Sequence, residues 1–443
     1  MTTIAELAAA YAPHVYFAKD ERYLPASFEY MVDKSKFFLK GKQLFKDSKG
    51  KTDKKAVAKK IEDEINGIFD GSVDLIWNGG AKNSQLLLDL GDIQAADGYA
   101  GKPDTKNRLY GDPDSPVQYI NAYTLGEVTA ADGTKFIDIC YAVYFMWNGT
   151  VDYHSADVEE IVIRFQYFQS WDTTGYAQVQ DKDFILRQGI KNPCGKWAAV
   201  RVFLSAHGNG MWYPTSFPGK PKSTIEFEDG THPIIYSAHG GHAMYPNVGS
   251  QKRVFGFADD ITEKGKKWTP NRVAFWNPAF VHESCSNNKR GKLTVLDIES
   301  KKIIKDNNPF LYLSYLNGTL GNSHNSQSTL PFKSGLLNLI SSGDAYYKFQ
   351  KGGPENAIDH VMTSNTQVTI MMISFIAGIV LLMSIFSFWF LLKWNNIGRF
   401  GSLVIFGSMP LLTILIVIAF ALYVFIELTG STNMLNLSNF LKK

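Results

Sequence analysis

Cysteine is scarce in this sequence. Three occur, Cys140, Cys194 and Cys285, and none has a CxxC neighbour. An odd, scattered set does not make a disulfide framework, so these read as reduced, partly buried thiols. The common catalytic signatures are missing as well. There is no HExxH, no GxSxG elbow, no Walker loop and no GxGxxG before a helix. The start of the chain has neither a basic n-region nor an apolar core of signal-peptide type.

Charge is missing from two stretches near the C-terminus, 368–392 and 402–426, each 25 residues long. A bilayer core of about 30 Å needs roughly 20 apolar residues in a helix, so both are long enough to span. Soluble core helices rarely avoid charge for so long. Between the runs, 393–401 is a short polar turn carrying Lys393 and Arg399. The pattern predicts two transmembrane helices in a hairpin, 366–430, with a tail of 431–443. Lys348, Lys351, Lys442 and Lys443 flank the hairpin on the side of the chain ends, against two cations in its loop. Positive-inside counting then predicts a multi-pass protein with its soluble domain on the cytosolic side. Which membrane this is, an organelle or the inner membrane of a virion, is not written in the sequence.

The remaining part, 1–320 with a 321–365 linker, is rich in Tyr, Phe and Trp and long enough for a sizeable core. Residues 11–17 read as a strand, followed by a turn at 21–25. Residues 34–60 hold eleven lysines and open a lysine-rich, short helical insertion, 34–69, expected to be exposed. Val57, Ile61, Ile65 and Ile68 recur at helical spacing, predicting an amphipathic helix over 53–69. An anionic lipid surface is one partner for such lysines, and a solvated face is the plainer reading. No aromatic platform for bases accompanies them, and no nucleic-acid partner is expected. From about residue 115 onward, apolar and β-branched runs at 136–145, 160–165, 198–205 and 233–238 are punctuated by Gly, Pro, Asn and Asp. The expected class is mainly β, with a β-sandwich-like soluble domain.

Six of the nine histidines fall between 154 and 282, several at strand ends, where sites are commonly built. Asp157 and Glu159 are two apart, so on a strand they share a face. Side by side, two carboxylates can divide into acid and base or hold a cation. His239 and His242, separated by two glycines, can reach one ion, with His154 or His207 completing the shell. Against this stands a polar core network, in which the same groups satisfy loop backbone. Trp212 and Trp276 offer stacking surfaces for a sugar or lipid head group, and core or interface packing is the plainer reading. Gly208, Gly210, Gly240 and Gly241 are expected to supply positive φ in turns. The candidate binding set is His154, Asp157, Glu159, His207, Trp212, His239 and His242. Neither a metal nor any other cofactor can be named from the sequence.

The run from Val202 through His207 to Trp212, and that from Pro233 through His239-Gly240-Gly241-His242 to Pro246, resemble the vacuolar protein sorting-associated protein 62 family. Its His-x-Gly-Asp-Trp-Glu strand is similar to His154-Ser155-Ala156-Asp157-Val158-Glu159 here. Tyr11-Ala12-Pro13 through Leu24-Pro25, and Asp138-Ile139-Cys140-Tyr141 through Asn148-Gly149, resemble the family's opening and the strand before that segment. The matches span roughly 11–320. Ala156 and Val158 depart from the pattern, and so do the lysine-rich stretch and the hairpin. The resemblance implies a role in vacuolar trafficking and no particular reaction. Two function classes follow. One is a membrane-anchored binding or scaffold protein, with a lipid bilayer and proteins of a membrane-associated coat or virion layer as partners. The other is a metal-dependent hydrolase acting on lipid or glycan at the membrane surface.

Overall fold

The computed structural model describes residues 3–21, 23–68, 73–76, 86–90, 119–129, 135–148, 154–167, 197–206, 209–215, 225–251, 260–277, 292–316, 318–321, 327–329 and 378. All but the last belong to one compact unit, Met1–Gln251 with Asp260–Ala357. The predicted hairpin, apart from Gly378, lies outside the described residues, as do Cys194, Cys285 and most of the 321–365 linker. Among the described residues no helix is long and apolar enough to cross a membrane.

Helix α1 (Ile4–Ala10) opens on a capping box, in which the Thr3 hydroxyl and the Glu6 side chain exchange bonds with each other's backbone N–H. Strand β1 (His14–Tyr16), helix α2 (Phe28–Lys34), the hairpin β2 (Lys36–Leu39) and β3 (Lys42–Leu44), helix α3 (Lys54–Ile65) and β4 (Leu86–Asp89) follow. The long strands come next: β5 (Tyr119–Thr129), β6 (Lys135–Asn148), β7 (His154–Tyr167), β8 (Trp197–Ala206) and β9 (Asn209–Pro214). Shorter ones succeed them: β10 (Phe227–Glu228), β11 (His232–Ser237), β12 (Met244–Tyr245), β13 (Gly249–Gln251), β14 (Asp260–Thr262), β15 (Lys267–Trp268) and β16 (Arg272–Asn277). Strands β17 (Lys292–Asp297) and β18 (Ile303–Ile304), a 3-10 helix at Pro309–Tyr315, β19 (Thr319–Gly321) and β20 (Gln327–Thr329) complete the unit.

An eight-stranded sheet in the order β18-β17-β16-β5-β6-β7-β8-β9 forms the centre. Its neighbours are antiparallel except β16 and β5, which run parallel. Strand β6 is buried along its whole length after Lys135. That is why it reads as a near-continuous apolar run, as a strand covered on both faces should. Ile137, Ile139, Tyr141, Val143 and Phe145 enter one core, while Phe136, Cys140, Ala142, Tyr144 and Met146 enter the other. The first core is closed by α1 and by strands of the sheet β10-β11-β1-β15. The second is closed by α2, α3, the 3-10 helix and the sheet β20-β19-β4-β2-β3.

The mainly β class therefore stands, with mixed sheets and few helices. The arrangement differs from a two-sheet antiparallel sandwich, because the central sheet carries a core on each face and each five-stranded sheet contains a parallel pair. The lysine-rich stretch is also corrected. It is part of a covering layer: β2 is hydrogen-bonded between β3 and β4, and Phe37 is fully buried. Helix α3 starts at the expected cap, Asp53, but ends at Ile65, so the apolar stripe stops at Val57 and Ile61. Ile65 and Ile68 are exposed. Glu64, at the end of α3, is buried and accepts from the backbone N–H groups of Leu75 (2.9 Å) and Ile76 (3.1 Å). Most of the lysines are exposed around this framework and mask its inward-facing residues in the sequence, whereas Lys60 is buried beside Glu64, at 3.9 Å. At the N-terminus the expected strand is shorter, His14–Tyr16, because Tyr11 caps α1.

Candidate functional site

The antiparallel register of β6 and β7 sets Phe145 opposite Asp157 and Val143 opposite Glu159. Alternation along β7 puts Asp157 and Glu159 on the face that carries Ile161 and Ile163. Over the end of β6 lies the turn between β11 and β12. Gly240 (φ +67°) and His242 (φ +55°) both adopt left-handed backbone there. The second left-handed position is thus His242, not Gly241. Gly210 serves close approach instead: a Cβ on it would lie 2.1 Å from the Phe203 ring. Gly208 lies outside the described residues.

The left-handed turn swings His242 into the interior, where it is fully buried. Its ring lies flat on Phe145, with centroids 3.8 Å apart and planes within 2°. Tyr23 presents an edge to it at 6.4 Å. His242 Nδ1 is 3.1 Å from Asp157 Oδ2, a contact that requires the proton on Nδ1. The opposite nitrogen, Nε2, is buried with no hydrogen-bond partner among the described residues. Glu21 holds the turn from outside, its Oε2 accepting from the N–H of Gly240 at 2.6 Å.

Glu159 is the most perturbed acid of the group. Burial pushes its carboxyl pKa well above the ordinary value, and the neighbouring Asp157 charge adds to the rise. The Ser205 hydroxyl donates to Glu159 Oε2 and works against that shift. Ser205 also accepts from the Glu160 N–H at 2.7 Å, which ties the end of β8 to β7. Asp260, buried and accepting from the Tyr245 hydroxyl at 2.6 Å, adds a further negative field. The arrangement sets a carboxyl biased toward its neutral form beside an Asp held by an imidazole. Chemically it can donate and accept a proton within one strand end.

The sequence-predicted residues separate into three groups. Asp157, Glu159 and His242 come together. His239 does not join them: its side chain is exposed, and its backbone N–H donates to Ile261 O at 2.9 Å. Trp212 lies over the Arg164 guanidinium at 4.6 Å and meets Phe203 edge-on, in the opposite core. Trp276 is likewise core, tilted against Tyr315 at 4.3 Å. The backbone of His154 pairs with Asn148, but its side chain and all of His207 lie outside the described residues. Among the described residues no three His, Cys, Asp or Glu side chains are placed to hold a metal ion. Sequence reasoning missed Phe145, Glu21, Ser205 and Asp260. Ser205 was within reach, being two residues before His207 at the end of a predicted strand. Cys140 is buried, and burial pushes its thiol pKa well up, which keeps it unreactive.

Residues 1–263 match the family described as vacuolar protein sorting-associated protein 62. That is more than half of the 443 residues. The chain belongs to this family. No curated protein sequence matches it. Among solved structures, the crystal structure of necrosis and ethylene inducing protein 2 from the causal agent of cocoa's witches' broom disease aligns at 14% identity and a TM-score of 0.23. It covers 61% of this chain and 72% of that one. NLPPya in complex with glucosamine aligns at 13% identity and a TM-score of 0.22, again over 61% and 72% of the two chains. NLPPya in complex with mannosamine aligns at 14% identity and 0.25, over 75% and 87%. Likenesses this distant do not establish a shared activity.

Membership in the vacuolar protein sorting-associated protein 62 family gives Ala156 a physical meaning. The family motif resembled here has Gly at that position, and Ala156 is fully buried with φ +64°. A left-handed φ costs an L-residue about 1–2 kcal/mol, a penalty glycine escapes. Ala156→Gly is therefore expected to raise stability by roughly 0.5–1 kcal/mol, after glycine's greater loss of chain entropy. Denaturant unfolding of the full chain checks this. A midpoint lowered by the substitution would show that the Ala156 methyl contributes more by packing than the backbone loses by strain.

Proposed function

We propose that this member of the vacuolar protein sorting-associated protein 62 family is a membrane-anchored binding or scaffold protein. Its β domain is held at a bilayer by a C-terminal hairpin, 368–392 and 402–426. The observation that carries this reading is the pair of uncharged 25-residue runs separated by a nine-residue polar turn. Two such helices insert essentially irreversibly, unlike a single acyl chain. The partners are then the bilayer itself and proteins of a membrane-associated assembly, whether a trafficking coat or a virion layer. The bonding of the His242 cluster suits a structural role within such a domain. His242 with Asp157, Ser205 with Glu159, and Glu21 with Gly240 join the turn and the strand ends to one another.

Deleting 366–443 is expected to move the protein from the carbonate-resistant membrane pellet to the supernatant. An unchanged membrane fraction would overturn the anchor. A second reading, hydrolysis at the membrane surface, is favoured by one observation: Glu159 is biased toward its neutral form beside Asp157, as an acid and base pair requires. Near one equivalent of transition metal in the purified full chain, lost on Asp157→Ala/His242→Ala, would favour that reading.

A further inference from the structure

A cavity of about 510 Å³ opens between α2, the 3-10 helix at Pro309–Tyr315 and the strands β5 and β6. None of Asp157, Glu159, His239 and His242 lines it. Its size falls in the range of small-molecule sites, roughly 300–1,000 Å³. Its walls are aromatic, with Phe28, Tyr30, Tyr119, Tyr144, Trp268 and Phe310 among the lining residues. Several of these rings are fixed. The Tyr119 hydroxyl donates to Asp306 and accepts from Arg272 at 2.8 Å. Tyr144 donates to Ser314 O at 3.2 Å and packs edge-on against Phe28 at 4.6 Å. A wall held in this way loses little freedom when a ligand stacks on it.

The polar lining decides the ligand class. Lys54 is the lysine among the lining residues, and it is paired with Asp33 at 3.2 Å. Burial alone would raise the Asp33 carboxyl, but hydrogen bonds from Lys34 and Lys54 outweigh it and hold its pKa below the ordinary value. That pairing leaves Lys54 poorly placed to hold a phosphate. Asn121, which is 8% exposed, also lines the cavity, and its Oδ1 is buried with no hydrogen-bond partner among the described residues. A buried amide oxygen without a donor costs about 1–3 kcal/mol. A half-turn of the amide exchanges its oxygen for its NH₂, so the group suits a partner able both to donate and to accept. Hydroxyl groups do both. Aromatic faces, an unsatisfied amide, the carboxylates of Glu29 and Asp33 and, among the described lining residues, no unpaired lysine together suit a neutral polyhydroxylated ring rather than an anion.

We propose that this cavity binds a neutral saccharide, with Asn121 bonded to a ring hydroxyl and an aromatic wall against the C–H face of the sugar. The proposal does not depend on the membrane anchor. The test is saturation-transfer NMR on the full chain in a sugar-free detergent, with glucose, mannose, galactose, N-acetylglucosamine and maltose as probes. At least one is expected to bind, and Asn121→Leu is expected to weaken it tenfold or more. The fold should tolerate Asn121→Leu, because the substitution removes an unsatisfied buried amide and keeps the volume. Tyr30→Ala, from the half-buried wall, is expected to weaken the same probe. The proposal is overturned if no probe binds, or if binding survives both substitutions. It also fails if Asn121→Leu markedly lowers the melting temperature, since the amide would then belong to the fold.

Discussion

Replacing Arg164 with methionine is expected to lower the stability of the β domain by about 3–5 kcal/mol. Arg164 and Asp138 face each other across β7 and β6, with side chains 1% and 4% exposed. The guanidinium is bidentate, with Nε to Oδ1 at 2.9 Å and NH2 to Oδ2 at 2.8 Å. Trp212 and Phe136 lie against its planar face, at 4.6 Å and 5.8 Å. Both charges have lost their water, and each is tolerable chiefly because the other is there. Removing one takes the bidentate bond from the other and leaves its buried charge poorly compensated. A smaller effect runs the opposite way. Arg201 sits opposite Arg164 on β8, and burial together with the Arg164 charge lowers its pKa to about 10. Losing Arg164 relieves that repulsion, but a bidentate bond in the core outweighs a like charge one strand away. Adding Asp138→Leu to Arg164→Met should recover most of the loss. Denaturant unfolding of wild type, both single variants and the double variant checks this. Additive losses would mean that the pair is not coupled.

Glu159→Gln is expected to flatten the alkaline side of the stability profile. The pKa of Glu159 is raised in the folded protein, by burial first and then by Asp157. The native state therefore holds this proton at pH values where the unfolded chain has released it. The contribution is fully present below the unfolded value of 4.5 and is lost as pH rises through the folded pKa. Over that window the wild type loses at most about 1.4 kcal/mol per pH unit from this one group. Glutamine keeps the shape and the acceptor for Ser205 without ionising. The two melting curves should coincide near pH 4 and separate as pH rises, with the variant more stable. Parallel curves across the whole range would show that Glu159 ionises in the folded state at its ordinary pKa.

Much of the central sheet was legible because buried strands carry their signal locally. The apolar runs at 136–145, 160–165, 198–205 and 233–238 fall within β6, β7, β8 and the β11 region. The period of two along β7 likewise foretells that Asp157 and Glu159 share a face. The lysine-rich stretch misled for a local reason: eleven cations dominate its composition, while Phe37, Val57, Ile61 and Glu64 do the packing. Helix α1 was overlooked although its capping box, Thr3 with Glu6, is a short-range signal. His239 and His242 look equivalent as neighbours in a glycine turn. The left-handed backbone at His242 separates them, sending one ring to solvent and the other onto Phe145.

The sequence by itself determined the mainly β class, the strand segments, the family motif and the uncharged C-terminal runs. All of these are periodicities or compositions of adjacent residues, fixed by the strand repeat or by the cost of burying charge. Only the tertiary structure decided that the sheet carries a core on each face. It alone placed Phe145 under His242, Trp212 over Arg164 and Asn121 at the wall of an aromatic cavity. Those contacts join residues tens to more than a hundred positions apart, as Phe145 to His242 and Tyr144 to Ser314 illustrate. Their geometry follows from strand register and from one left-handed turn, and neither is a property of any short stretch of chain.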